Sequence, residues 1–125
     1  MLKGASFITV AIPPQKIAVV NDTQEVKKLL DSVKKDYNLQ QMNIAQNYID
    51  IAKAESEKID YKEGLAITEK WHGRMCADKG QISLAIEHIK SGLEIYTAIN
   101  NYAGIIKMNN ILGDYHYQRS DFNTA

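Results

Sequence analysis

Residues 72–85 read HGRMCADKGQISLA, and 40 positions later residues 112–125 read LGDYHYQRSDFNTA. The two stretches share a glycine at the second position and an alanine at the last, and Ala45 lies one further 40-residue step upstream. Glycine keeps the same step at Gly64 and Gly104. A fixed period of this size is typical of a solenoid, in which one structural unit stacks on copies of itself because it cannot bury its apolar face alone.

The composition is that of a soluble globular domain: 125 residues, 45% hydrophobic and 24% charged. Fifteen basic and fifteen acidic side chains give a formal net charge of zero. We therefore expect no nucleic-acid partner, because no overall field attracts a polyanion. The one cysteine excludes an internal disulfide and a CxxC zinc site. No apolar run approaches the roughly 18 residues of a membrane span, so we expect none in this chain.

The first 20 residues differ from the rest of the chain. An apolar, β-branched stretch follows Lys3 and ends at Pro13-Pro14, which disfavour helix and sheet alike. We expect residues 1–20 to form an N-terminal arm or leader outside the repeat. The alternative is the remnant of a secretory signal, which also combines a basic start with an apolar segment. The expected compartment is the cytoplasm, or the periplasm if the signal alternative holds.

From residue 21 onward, apolar residues recur at helical spacing in five segments. The pattern is strongest in the fourth, where Ile82, Ile86 and Ile89 belong to an i, i+3, i+4, i+7 stripe. We expect Ser120-Asp121 to form a turn and Phe122 to begin a sixth helix. The five predicted helices are Asn21 to about Tyr37, Met42 to Asp60, Tyr61 to Gly80, Ile82 to Ile99 and about Tyr102 to Ser120.

The repeated stretch resembles the tetratricopeptide repeat (TPR) family. Its Leu112-Gly113 pair, Tyr115 and the final Ala125 follow that family's pattern, and residues 72–85 repeat it one period earlier. The resemblance implies an all-α solenoid of antiparallel helical hairpins, in which Gly73, Gly113 and the periodic alanines lie where two helices press together. The implied repeats are about 22–60, 61–100 and a truncated 101–125.

The length of the period adds a functional expectation. The common TPR step is about 34 residues, and a 40-residue step looks like the long-repeat bacterial variety. Such repeats are found in input regions of sensor kinases, nucleotide cyclases and transcription regulators. The resemblance thus implies a protein–protein interaction module of a bacterial signalling protein. Because the chain ends just after an apolar helix, we also expect self-association through its terminal helices.

A TPR stack binds its ligands in the groove lined by the first helix of each hairpin. The period predicts a locally basic groove that carries aromatic residues and suits an acidic or C-terminal peptide. The alternative is an ordinary solvated helix face with no ligand. The predicted groove residues are Lys27, Lys34, Tyr37, Lys70, Arg74, Lys107, Asn110, Asp114 and Tyr117.

Residues suited to catalysis or metal binding are few. Glu69 and His72 have the Glu-x-x-His spacing of di-iron bundles, but those proteins need two such motifs and only one is present. His72 and Cys76 are four apart on one helix face, as in some metal or thiolate sites. We expect both to be packing residues, with no catalytic residue, metal or cofactor. The alternative is a small metal- or thiol-dependent enzyme or sensor built on Glu69, His72 and Cys76. For His88 and His116, spacing identifies no partner.

Overall fold

In a computed structural model of the chain, residues 13–38 and 41–124 are described, and among these the structure is helical with no strand. Consecutive helices pack against each other, and α1 also contacts α3. The prediction of an all-α protein with five helices is confirmed for this part of the chain. The helices are α1 (Pro13–Asp36), α2 (Met42–Lys58), α3 (Lys62–Asp78), α4 (Ile82–Ala98) and α5 (Tyr102–Thr124).

The first helix begins earlier than the sequence indicated. Residues 13–20 belong to α1 and not to the predicted arm, and the helix starts at Pro13 itself. Proline is compatible with a first helical turn, because its fixed φ is helical and the N–H that it lacks has no partner there anyway. The rest of the predicted arm, residues 1–12, lies outside the described residues.

The three turns between α2 and α5 share one design. Each places one residue in the left-handed region: Asp60 (φ 56°), Gly80 (φ 82°) and Asn100 (φ 57°). In every case the next N–H bonds back to a carbonyl in the last turn of the helix, which satisfies a carbonyl that the helix leaves free. These turn residues lie 20 positions apart, half the period of the sequence. The bonds run from Tyr61 to Ser56 (2.8 Å), Gln81 to Cys76 (2.8 Å) and Asn101 to Tyr96 (2.9 Å).

The turn predicted at Ser120-Asp121 is wrong. The fifth helix continues through these residues to Thr124, and no sixth helix begins at Phe122. The three observed turns use Asp, Gly or Asn at the left-handed position, which are the residues that tolerate it best. Serine at position 120 lacks that preference, so the helical conformation persists. The third periodic alanine, Ala125, lies outside the described residues.

Contacts between consecutive helices are mirrored about the turns. Each contact joins two residues that lie a similar number of positions before and after the turn in the sequence. Gly73 of α3 is an example: a Cβ there would lie 2.8 Å from Cδ1 of Ile89 and 3.2 Å from the backbone oxygen of Ala85. A side chain here would displace Ile89 and press on the Ala85 carbonyl, so glycine favours this close approach of α4. The predicted tight contact at Gly73 and Ala85 is thus confirmed. A Cβ added at Gly64 would likewise clash with the side chain of Ser56, and one added at Gly92 with that of Met108.

Gly113, in contrast, does not lie at a helix contact. It is exposed, and a Cβ added there would meet nothing within 4 Å. The prediction that it packs like Gly73 is therefore wrong. Gly73 faces the helix that follows its own, whereas among the described residues no helix follows α5.

Two apolar clusters form the core, and α3 contributes to both. The first joins α1 and α2 to one side of α3, and the second joins α4 and α5 to the other side. The first cluster contains Val26, Leu30, Val33, Ala45, Ile49, Ala52, Trp71 and Met75. The second contains Ala66, Ile82, Ala85, Ile86, Ile89, Tyr96, Met108 and Tyr115.

Two alanine substitutions test the left-handed turn at Gly80 and the open helical position at Gly113. Gly80→Ala should lower the free energy of unfolding by about 1 kcal/mol, because a left-handed φ is unfavourable for alanine and not for glycine. Gly113→Ala should raise it by up to about 1 kcal/mol, because the site is open and mid-helical. Urea unfolding followed by circular dichroism measures both. A destabilising Gly113→Ala would mean that another element packs on α5 there.

Candidate functional site

Two polar sites lie on different sides of α3. On one side, Lys70 and Arg74 face α1 and α5 across two pockets. On the other side, Glu69 and His72 contact α2 and α4. We call the first site the basic groove, formed by Lys34, Lys70, Arg74 and Lys107. We call the second the histidine cluster, formed by Asp50, Glu69, His72 and His88.

The basic groove consists of two adjoining pockets. The first, of about 250 Å³, brings together one lysine from each of three helices: Lys34 of α1, Lys70 of α3 and Lys107 of α5. The second, of about 240 Å³, lies further along α3 and is lined by Arg74 and by residues of α5. Lys70 and Trp71 line both pockets, so the two lie side by side along α3.

Lys70 lies among other cations. Burial lowers its pKa below the ordinary value, and the charges of Lys107, Lys34 and Arg74 lower it further. Among the described residues, the ion pairs include neither Lys70 nor Lys34 nor Lys107. The three lysines therefore repel one another without a carboxylate at ion-pair distance.

Tyr37 and Trp71 form an aromatic wall beside Arg74. The Tyr37 hydroxyl donates to Oδ2 of Asp78 (2.5 Å), and Arg74 Nε donates to the same oxygen (3.3 Å). The guanidinium lies 5.1 Å from the centre of the Tyr37 ring, and the rings of Tyr37 and Trp71 are 5.4 Å apart. Burial and the neighbouring Asp78 raise the pKa of Tyr37 well above its ordinary value. Asp78 thus fixes the position of Arg74 and offsets part of its charge.

The structure brings together six of the nine predicted groove residues. Five line the pockets, namely Lys34, Lys70, Arg74, Lys107 and Asp114, and Tyr37 joins them through Arg74 and Trp71. The other three, Lys27, Asn110 and Tyr117, line neither pocket.

Helix geometry accounts for two of these outliers. Lys27 precedes Lys34 by two turns, beyond the part of α1 that borders the pocket. Tyr117 is 75% exposed. It follows Ile106 by eleven residues, about three helical turns, so it lies on the same face of α5 as the exposed Ile106 and not on the face of Lys107.

Two acidic residues of the groove were not among the predicted ones. Asp31 of α1 and Glu63 of α3 line the first pocket beside the lysines. Helical spacing predicts both, because Asp31 precedes Lys34 by three positions and Glu63 precedes Lys70 by seven, which places each on the same helix face as its lysine. The groove is therefore basic at its centre and carries carboxylates along one part of its border.

The histidine cluster lies where α2, α3 and α4 meet. Glu69, His72 and His88 each offer one donor atom, and these atoms all lie within 4.8 Å of one another. Oε1 of Glu69 is 3.3 Å from Nδ1 of His88 and 3.7 Å from Nδ1 of His72. The two imidazole rings are 5.4 Å apart, centre to centre.

The second nitrogen of His72 faces α2. Its Nε2 lies 3.4 Å from Oδ1 of Asp50 and 3.5 Å from Nε2 of Gln46, and Gln46 in turn donates to Asp50 (2.8 Å). Nδ1 of His72 is buried and has no hydrogen-bond partner among the described residues. A buried nitrogen without a partner is uncommon in a folded protein and needs a physical reason.

Glu69 is the charged centre of the cluster. Burial alone would raise the pKa of its carboxyl group. The neighbouring polar groups of His72 and His88, together with the charges of His88 and Lys53, outweigh burial and lower the pKa below its ordinary value. Glu69 is therefore a carboxylate at neutral pH, although its side chain is only 16% exposed.

Cys76 does not join this cluster. It packs against the second core cluster instead, and burial raises the pKa of its thiol although Lys79 opposes the effect. The structure thus does not bring together Glu69, His72 and Cys76, the set of the alternative interpretation; His88 lies beside Glu69 and His72 instead of the cysteine. The sequence did contain a signal for His88, because His72 and His88 each lie eight residues from the turn residue Gly80.

Comparison of the chain with protein-family models, with curated proteins and with solved structures gives no match. In the described part of the chain, every helix is too short or too polar to cross a membrane. The two polar sites are therefore the features of the chain that bear on its function.

A substitution at Lys70 tests the repulsion in the basic groove. Lys70→Met keeps the length of the side chain and removes its charge, so it should raise the free energy of unfolding by about 0.5 kcal/mol at low salt. The gain should shrink in 1 M salt, which screens the repulsion. Lys90→Met, at an exposed position of α4, is the matched control and should change stability little. A destabilising Lys70→Met with no salt dependence would contradict the electrostatic description of the groove.

Proposed function

We propose that this chain is a TPR-like protein-interaction module whose basic groove binds an acidic peptide segment of a partner protein. In this proposal α1 pairs with α2 and α3 pairs with α4 as antiparallel helical hairpins, and these stack with α5 as a solenoid. The helices α1, α3 and α5 are then the first helices of successive hairpins and line one shared face. A place in a bacterial signalling protein of the cytoplasm rests on the resemblance to long-repeat TPR proteins alone.

Three features support the solenoid. The left-handed turn residues recur every 20 positions, the contacts of consecutive helices are mirrored about them, and α1 contacts α3 as well as α2. Mirrored contacts are expected when two helices run in opposite directions on either side of a short turn. Contact between α1 and α3 is expected when hairpins stack on one another.

The convergence of Lys34, Lys70 and Lys107 is the observation that supports peptide binding most strongly. A cluster of unneutralised cations around a partly buried lysine destabilises the free protein, and an anionic ligand would remove that cost. The groove continues past Trp71 toward Arg74 and Ile111, so it offers apolar surface next to charge. That combination suits an extended chain with acidic and aliphatic side chains better than a single small anion.

We propose no catalytic role for this groove. The groups that line it are cations, carboxylates, amides, aromatic rings and aliphatic side chains, and they include no nucleophile beside a general base. The thiol of Cys76 is disfavoured as a nucleophile because burial raises its pKa, whereas reactive thiols have lowered values.

Peptide binding can be tested by fluorescence anisotropy with labelled peptides of about ten residues. One peptide combines Asp and Glu with Leu, and the other replaces the acidic residues with Asn and Gln. The acidic peptide should bind, the neutral one should not, and added salt should weaken binding. Lys70→Glu and Lys107→Glu should each reduce the affinity at least about tenfold, since charge reversal makes the groove repel the ligand.

Lys90→Glu makes the same charge change on the exposed surface of α4 and serves as the control. It should leave the affinity close to that of the unsubstituted protein. Equal binding of the acidic and neutral peptides, or equal loss in all three variants, would overturn the proposal. So would failure of the acidic peptide to bind at low salt.

Exposed apolar residues of α5 favour a second copy of the chain as a further partner. Tyr102, Ile106 and Tyr117 are 71%, 62% and 75% exposed and lie along one stripe of the helix. Ile106→Lys should therefore lower the dimer fraction in sedimentation experiments at high protein concentration. Leu84→Lys, at a half-exposed apolar position of α4, is the control. A protein that stays monomeric at every concentration would contradict self-association.

A further inference from the structure

We propose that Glu69, His72 and His88 form a binding site for a divalent first-row transition metal ion such as Zn²⁺. The site lies on the side of α3 opposite the basic groove. It is argued from its own contacts and does not rest on the proposed peptide binding.

The orphaned nitrogen of His72 is the first argument. When Nε2–H of His72 is directed at Asp50, 3.4 Å away, the neutral ring must carry its free lone pair on Nδ1. This Nδ1 is buried, lacks a hydrogen-bond donor among the described residues and faces Glu69. An unsatisfied buried acceptor costs roughly 1–3 kcal/mol. Coordination to a metal ion would use this lone pair and remove the cost.

The distances are the second argument. Nitrogen and oxygen donors bind Zn²⁺ at about 2.0–2.1 Å, so two donors at tetrahedral angles lie about 3.4 Å apart. Oε1 of Glu69 is 3.3 Å from Nδ1 of His88 and 3.7 Å from Nδ1 of His72. All three donor atoms lie within 4.8 Å of one another. The gap between the two histidine nitrogens, at most 4.8 Å, has to narrow to about 3.4 Å for both to bind one ion.

The outer contacts of His72 are the third argument. Metal-bound histidines almost always donate their other ring N–H to a carboxylate or carbonyl, which fixes the tautomer and the orientation of the ring. Asp50 of α2 supplies such a carboxylate, and Gln46 holds it by a 2.8 Å hydrogen bond. The ligands thus come from α3 and α4, and the supporting residues come from α2.

The chemistry of the donors determines which metals fit. Two imidazoles and one carboxylate suit Zn²⁺, Fe²⁺, Co²⁺ or Ni²⁺, whereas Mg²⁺ and Ca²⁺ prefer sites made only of oxygen atoms. Three protein ligands leave a coordination position for water or another small ligand. Because the ion would join α3 to α4, it would also stabilise the packing of the two helices.

Isothermal titration of the full, metal-stripped chain with ZnCl₂ tests the proposal directly. We expect one ion per chain and a rise in the thermal unfolding midpoint, since binding to the folded state stabilises it. His88→Gln and Glu69→Gln should each lower the affinity at least about tenfold, and Asp50→Asn should lower it about 10- to 100-fold as an outer-shell change. His116→Gln, outside the cluster, is the control and should bind Zn²⁺ as the unsubstituted chain does.

A second measurement does not depend on the folding of any variant. Long-range ¹H–¹⁵N spectra of the unsubstituted chain report which ring nitrogen each histidine uses. Added Zn²⁺ should shift the Nδ1 signals of His72 and His88 and leave those of His116 in place. The absence of Zn²⁺ binding, equal affinity in His88→Gln, or signals that shift only at His116 would each overturn the site.

Discussion

The packing of α3 between two pairs of helices is the constraint on which the rest of the structure depends. Its residues enter both core clusters, with Trp71 and Met75 on one side and Ala66 on the other. Such a helix must present small residues where its neighbours come closest, and Gly73 meets that requirement against α4. Glu69, Lys70, His72 and Arg74 of α3 therefore lie on the narrow faces that remain between those contacts.

Those faces explain why two chemically different sites share one helix. Lys70 and Arg74 lie where α1 and α5 leave an open depression, so their charges meet those of other cations. Glu69 and His72 lie where α2 and α4 close over them, so their polar atoms must find partners within the protein. An open cationic face suits a flexible acidic chain, and a half-buried cluster of donor atoms suits a small ion.

Much of the fold could be predicted from the sequence, because apolar spacing and the 20-residue alternation of turns are local signals. The predictions at Ser120-Asp121 and Gly113 were wrong. Both applied the 40-residue period beyond Asn100, the last turn residue in the left-handed region. Within the sites, periodicity found the lysines of the groove but not His88. Its approach to Glu69 depends on how two helices pair across Gly80, and spacing within one helix cannot show that.

The position of α3 between its neighbours can be measured directly by nuclear Overhauser effects in the isotopically labelled chain. We expect effects between the rings of Trp71 and Tyr37, whose centres are 5.4 Å apart, and between the α-protons of Gly73 and the Cδ1 methyl group of Ile89. The first joins α3 to the end of α1, and the second joins α3 to α4. Observation of both would support the packing on which the groove and the cluster rest. Effects from Trp71 only to residues of its own helix, in a folded protein, would contradict it.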